Sequence, residues 1–358
     1  MSVSSIPGTQ EAVIASDDSK RDALRPTVNI YAELKNLIKA KGLLDKQPVY
    51  YTRKILTTVG LLLVGVAFLV LVNNVWLQFL NAAYLAFVFS QIGFLGHDAG
   101  HRQIFNATWK NDLVMLLEGN LLIGMSYNWW MEKHNKHHSH PNQLDMDPDI
   151  DIPFISFSQE DALTRRYPLR FIVKYQAFFF FFLLLFVGIE LELNSFTYVV
   201  RTRGKNWLLE VGLLVVHYAL YFGLIFTHLN LWQGIVFILI HQTLFGLYLG
   251  STFAPNHKGM PIIEKASKMD FLRRQVLTAR NVYSSPFNDY WYGGLNYQIE
   301  HHLFPSMPRK NLKEAQKTIR AFCRERCISY YETSMGGSYK DILVFLHQIS
   351  APLRHKRA

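Results

Sequence analysis

Residues 55–72, ILTTVGLLLVGVAFLVLV, and residues 75–95, VWLQFLNAAYLAFVFSQIGFL, carry no charged side chain, and only Asn73 and Asn74 part them. As helices they rise roughly 27–32 Å, enough to cross a hydrocarbon core of about 30 Å, so the pair predicts a hairpin of two spans. A second pair, 208–228 and 231–252, is joined by Leu229 and Asn230. Two further apolar stretches are interrupted. Residues 113–130 contain Glu118 and Asn120, and residues 171–189 carry Lys174 ahead of the run Phe178 to Phe182. Both are predicted to be interfacial or re-entrant.

Composition agrees with this reading. Of 358 residues, 50% are hydrophobic and 18% charged, below the roughly 25% charged of a soluble domain. That excludes disordered and collagen-like chains. Cys323 and Cys327 provide no disulfide framework. The first fifty residues are polar, so no secretory signal is expected at the start of the chain, and apolar segments further in must do any targeting.

The net charge of +10 lies in basic residues flanking the apolar runs, which marks membrane topology and not a nucleic-acid surface. Lys35, Lys39, Lys41, Lys46, Arg53 and Lys54 precede the first pair; Arg201, Arg203 and Lys205 precede the second; the hairpin tips have none. By the positive-inside rule both hairpins start and end in the cytoplasm. A span over 171–189 would put Arg201 and its neighbours outside, which is why that stretch is read as interfacial. The expected fold is an all-α integral membrane protein with four transmembrane helices as two hairpins, interfacial helices and a cytoplasmic helical cap. Its segments are 1–54, a cytoplasmic N-terminal part; 55–335, the membrane domain; and 336–358, a basic tail.

Eight of the fourteen histidines fall in four short places: HDAGH at His97 and His101, HNKHH at His134, His137 and His138, NH at His257, and QIEHH at His301 and His302. Spacing of three and four residues puts such side chains on one helix face. Each place lies at or after the return of a hairpin, so all eight imidazoles are expected at one membrane face, as a nitrogen-rich two-metal site requires. His217 and His241, inside spans, suit interhelical hydrogen bonds. His140, just before Pro141, suits a loop.

At these residues the sequence resembles the membrane fatty acid desaturase superfamily, whose three histidine boxes read HxxxH, HxxHH and HxxHH or QxxHH. The likeness runs from about residue 55 to residue 335 and takes in GHDAGH, HHSHPNQLDMDPDI and GGLNYQIEHHLFPSMPR. The QxxHH form is similar to the front-end desaturases. The resemblance implies two irons held by His97, His101, His134, His137, His138, His301 and His302, with His257 as the extra ligand after the last span. Asn256 and Gln298 would be outer or water-mediated partners, and Gln298 stands where the acyl-CoA Δ9 group has a histidine. Asp98 and Glu300, inside boxes, could orient imidazoles, and Asp145, Asp147, Asp149 and Asp151 could hold ligands indirectly or pair with cap arginines.

The resemblance further implies an O2-dependent enzyme that introduces a double bond into a fatty acyl chain carried on CoA or on a lipid. Electrons would come from a separate donor of ferredoxin or cytochrome b5 type with its reductase. No HPGG haem motif occurs, and with flanks of about 54 and 23 residues no fused cytochrome b5 domain is expected in this sequence. Trp129, Trp130, Trp291 and Tyr292, beside the boxes, could wall the acyl slot or sit in the interfacial belt. Residues 311–327 are expected to form an amphipathic helix with Leu312, Ala315, Ile319, Phe322 and Cys323 on one face. Membrane hydroxylases and ketolases share such boxes and remain the main alternative. A histidine-rich metal transporter would place its ligands at mid-membrane, and a zinc protease would need HExxH, which is absent.

Overall fold

A computed structural model describes residues 29–204 and 206–354. Lys205, the first part of the 1–54 segment and the last four residues of the 336–358 tail lie outside the described residues. The described chain is helical apart from a two-residue parallel pairing of β1 (Asn281–Val282) with β2 (Glu332–Thr333).

Four helices are long and apolar enough to cross a membrane: α2 (Pro48–Leu71), α3 (Val75–Gly100), α10 (Trp207–His228) and α11 (Leu231–His257). They divide into an inner and an outer pair. About two thirds of the apolar window of α3 and 56% of that of α11 are buried, against 17% for α2 and 22% for α10. The reason is in the side chains. The outer helices present Leu56, Leu63, Val64, Leu208 and Val215, all exposed as lipid-facing residues are, whereas α3 carries Gln78, Asn81, Ser90 and Gln91, each buried against protein. Gln78 donates to the carbonyls of Phe68, Leu69 and Val72, and Asn81 to that of Gly65, so the polar groups of α3 satisfy the carbonyls at the end of α2.

The helices overrun the predicted spans. α2 begins at Pro48, not residue 55, with proline in the first turn where its missing N–H costs nothing. α3 and α11 continue past residues 95 and 252 to Gly100 and His257. Hydropathy marks where the membrane ends, not where the helix does. His97 and His257, expected just after the spans, therefore sit in the last helical turns.

The two interrupted stretches break into pieces. Residues 113–130 are shared by α4 (Thr108–Met115), a π-helical continuation (Leu116–Ile123) and the start of α5 (Tyr127–Ser139). The break falls at Gly124, φ +84°, where a Cβ would stand 2.6 Å from the His217 ring. Residues 171–189 span α7 (Leu169–Lys174), α8 (Gln176–Leu184) and the start of α9 (Val187–Arg201), with a 70° bend between α8 and α9. If that bent pair is counted as one span, the candidates number five.

The cap is built from α1 (Ile30–Ala40), α6 (Gln159–Thr164), α12 (Phe271–Leu277), α13 (Pro286–Trp291), α14 (Gln298–Leu303), α15 (Arg309–Glu325) and α16 (Met335–Ile349). The amphipathic expectation for 311–327 holds: Leu312, Ala315, Ile319, Phe322 and Cys323 of α15 pack with Leu34 and Ile38 of α1 and Leu272 and Val276 of α12. The stretch expected as a basic tail begins inside a helix. From Met335 it is a packed helix, with Ile342 and Leu346 fully buried against Phe180 and Leu184 of α8. The basic residues Arg354, Lys356 and Arg357 follow this helix, and within it only Lys340 is a lysine or arginine.

Candidate metal centre

The boxes converge. His97 and His101 close α3, His134, His137 and His138 lie on α5, His257 ends α11, and His301 and His302 lie on α14. Their ring nitrogens form two groups, His97, His101, His134, His138 and His301 in one, His137, His257 and His302 in the other. Within each group the nitrogens lie within 4.8 Å of one another.

The contacts inside the groups fit a bound cation better than hydrogen bonds. His134 Nε2 is 2.8 Å from His101 Nε2 and 3.0 Å from His138 Nε2, which is 3.2 Å from His301 Nε2. A neutral imidazole has one N–H, and a single nitrogen cannot serve two such neighbours at once. Burial, then repulsion among the rings, holds His101, His134, His138, His301 and His302 well below the usual histidine range. The rings are therefore neutral, and their lone pairs face common points.

The outer ring nitrogens fix the orientation of the three-histidine group. His137 Nδ1 donates to Asp147 at 3.0 Å, His302 Nδ1 to Gln275 Oε1 at 2.9 Å and His257 Nδ1 to the Thr278 carbonyl at 2.9 Å. Each bond places the proton on Nδ1 and frees Nε2. Burial opposes a charge on His137, but the Asp147 and Asp149 carboxylates outweigh it and hold this ring above the usual range. Asp147 is itself held by the Asn142 and Asp149 N–H groups at 2.7 and 2.9 Å. It acts as an anchor behind His137. In the five-histidine group the Nδ1 atoms of His97, His138 and His301 have no protein hydrogen-bond partner.

Helix ends set the ligand positions. Pro255 lies in the last turns of α11 and has no N–H to give the Ser251 carbonyl, to which the Tyr339 hydroxyl donates instead. The fully buried Arg280 donates to the Pro255 and Lys258 carbonyls and pairs with Asp341 at 3.0 Å, fastening the turn that carries His257. On α3, a Cβ at Gly100 would stand 2.4 Å from the Trp130 ring. That ring stacks on His134 at 4.3 Å and meets His97 edge-on at 5.7 Å.

The remaining expected residues divide. Gln298 Nε2 is 3.0 Å from His257 Nε2, so its amide reaches the three-histidine group, and its Oε1 has no partner. Asn256 Oδ1 is likewise buried without a partner. Asp98 Oδ1 lies 3.5 Å from His97 Nδ1, but its main partner is Arg309 at 2.7 Å. Glu300 touches no imidazole: it accepts from Tyr330 at 2.6 Å and Asn281 at 2.7 Å, and burial pushes its carboxyl up to about 7. Asp149 pairs with Lys133, and Asp145 with Lys265.

Trp130 and Trp291 join Phe94 and Tyr248 in an apolar cluster between α3 and α11, and Tyr292 is buried in the cap. His217 and His241 stay outside both groups, bonded to the Leu121 carbonyl and the Tyr221 hydroxyl, and His140 contacts Gln143 in its loop. Gln275, Thr278 and Arg280 were not expected from the sequence. Each is a single polar residue with no repeat to mark it.

Helices long and apolar enough to cross a membrane surround two histidine groups compatible with a metal site. The chain belongs to the fatty acid desaturase family, whose pattern matches residues 74–334. It is 32% identical over 338 residues to the acyl-lipid (9-3)-desaturase of Physcomitrium patens, covering 92% of this chain and 64% of that protein. It is 31% identical over 349 residues to the Delta(6)-fatty-acid desaturase fat-3 of Caenorhabditis elegans, covering 92% and 77%. The Delta(8)-fatty-acid desaturase 2 of Arabidopsis thaliana is 29% identical over 319 residues, 85% of this chain and 71% of that protein.

Proposed function

We propose that this protein is an O2-dependent fatty acyl desaturase with two irons, one in each histidine group. The observation that carries this reading is the pair of groups itself: eight buried or half-buried imidazoles, of which three have their outer nitrogens fixed. Iron with O2 supplies an oxidant strong enough to take hydrogen from an unactivated alkyl C–H bond, which no side chain can do.

The chain's own residues do the rest. Asp147, Gln275 and the Thr278 carbonyl hold His137, His302 and His257 in the tautomer that binds metal. Trp130, Phe94, Tyr248 and Trp291 form an apolar wall beside the histidines, suited to an acyl chain. Gln298 reaches the three-histidine group with its amide, and the unpartnered oxygens of Gln298 and of Asn256, next to His257 in the chain, are suited to hold a water. The basic flanks support a cytoplasmic site, with 55–335 as the catalytic domain, a fatty acyl-CoA or acyl-lipid substrate and a separate one-electron donor of ferredoxin or cytochrome b5 type. The QxxHH box and the relatives' names support the front-end subgroup.

The test is expression in a host of defined fatty-acid profile, fed saturated, mono-unsaturated and di-unsaturated acids. Products are located by gas chromatography–mass spectrometry and compared with a His301→Ala, His302→Ala variant. A new double bond absent from the variant is expected. Hydroxylated products instead would assign the sister activity.

A further inference from the structure

We propose that α12 and the adjoining stripe of α1 form the docking face for a small acidic one-electron carrier protein, and that electrons pass inward through Gln275. The proposal rests on the desaturase reading above and adds the place where its reductant binds. Forming one double bond while reducing one O2 to two waters takes four electrons and four protons. The CH2–CH2 unit gives two of each, the carrier gives two electrons in single steps, and water gives two protons.

The inner side of α12 touches both histidine groups through one side chain. Gln275 Oε1 accepts from His302 Nδ1 at 2.9 Å, and its Nε2 donates to the His138 carbonyl at 2.9 Å. Arg274, next in the chain, donates to the Ser139 carbonyl at 3.2 Å. Phe271, at the start of α12, is 43% exposed, and Lys268, three residues before the helix, is exposed as well. A single seven-residue helix carries both the exposed Phe271 and the Gln275 contact to the ligands. Electron tunnelling falls off exponentially with distance, so a thin wall bonded to the ligands is where a carrier does best.

Aromatic rings give a second contact path from the same face. Phe271 meets Tyr31 of α1 at 4.7 Å, Tyr31 stacks on Phe304 at 5.6 Å, and the Tyr31 hydroxyl bonds to the Leu303 carbonyl, directly after the third box.

Charge favours an acidic partner. Tyr31, Lys35 and Lys39 follow one another at four-residue spacing on α1, so both lysines line the edge that Phe271 meets, and both are exposed. Among the described residues, Glu33 pairs with Arg326, Asp270 with Arg273 and Asp145 with Lys265. An exposed aromatic with a basic rim suits steering of an acidic protein and a short-lived encounter. The outer face of α15 is also basic, with Lys317 and Arg324. It stands behind the layer of Leu312, Ala315, Ile319 and Phe322, so a carrier there would be a helix and a core layer further away.

The experiment uses the full chain in micelles with two acidic carriers in parallel, a [2Fe–2S] ferredoxin and the soluble haem domain of cytochrome b5. Carrier binding is measured on metal-free and iron-loaded protein across a salt series, followed by carrier reoxidation and product formation. In a third arm dithionite replaces the carrier. The Lys35→Glu, Lys268→Glu variant should bind at least one carrier about tenfold more weakly and with a flatter salt dependence, with or without iron. It should keep dithionite-driven product formation, and Lys317→Glu, Arg324→Glu should bind as wild type. Phe271→Ser should slow carrier reoxidation.

Wild-type binding by the Lys35, Lys268 variant, a larger effect from the α15 variant, or no binding of either carrier would overturn the docking face. Salt-sensitive binding through Lys35 and Lys268 with no new double bond under any reductant would uphold the face and sink the desaturase reading.

Discussion

The Asp98 carboxylate, between the two histidines of the first box, lies 2.7 Å from the Arg309 guanidinium at the start of α15, and both side chains are more than nine-tenths buried. Arg309 also donates to the Phe94 carbonyl at 2.7 Å, and its N–H to the Tyr51 hydroxyl at 3.2 Å. The Tyr51 hydroxyl in turn lies 2.9 Å from Gln103 Oε1. One arginine thus ties α2, the first box and the segment after the third box into one unit.

Removing that arginine strands a buried carboxylate. Arg309→Met should cost about 3–5 kcal/mol, as breaking one side of a buried pair does. Asp98→Asn together with Arg309→Met should recover part of the loss. Thermal unfolding in micelles checks both, and a single variant as stable as wild type would show that the pair holds nothing together.

Gln275 gives a sharper test of the metal centre. Gln275→Leu removes the acceptor for His302 Nδ1, so metal in the three-histidine group should bind 10–100-fold more weakly, by analogy with other outer partners of ligating histidines. Iron per chain should fall from two toward one. Gln275→Glu keeps an acceptor and should retain more metal. Equal loss from both groups, seen by titration with a chelator, would argue against this assignment.

The parts of this architecture that repeat could be read from the sequence; the parts that pair could not. The spans are unbroken apolar runs, and the face of α15 and the histidine spacings follow a helical period. Arg309 stood within the expected likeness, but nothing local says that it meets Asp98. Gln275 and Arg280 act through contacts with residues far away in the chain. The helix ends were misplaced because α3 and α11 run on beyond the apolar run to carry His97 and His257. Position in a box leaves open what Glu300 faces; the six-residue helix that carries it points its carboxylate at Tyr330 and Asn281.

Gly100 should tolerate no side chain. A Cβ there meets Trp130 at 2.4 Å, and the ring is pinned on its far side by His134. Gly100→Ala should cost roughly 1–3 kcal/mol by overpacking and displace the five-histidine group, with loss of iron and activity. Gly60→Ala on α2, where nothing lies within 4 Å, is the control and should be neutral or slightly stabilising. Iron content and unfolding temperature of the two variants, side by side, decide it.

Glu300 makes stability depend on pH. Burial raises its carboxyl from an ordinary 4.5 to about 7. Below pH 4.5 the acid is protonated whether folded or unfolded. Between about 4.5 and 7 the unfolded chain releases the proton and the folded chain keeps it, so this group's contribution to stability falls as pH rises, by roughly 3 kcal/mol in all. Glu300→Gln keeps the shape and a partner for Tyr330 but cannot ionise. Its unfolding temperature should therefore fall less than that of wild type between pH 5 and pH 8. The histidines titrate in both proteins, so the difference between the two curves isolates Glu300. Parallel curves would mean that the carboxyl is already ionised in the folded protein at pH 5.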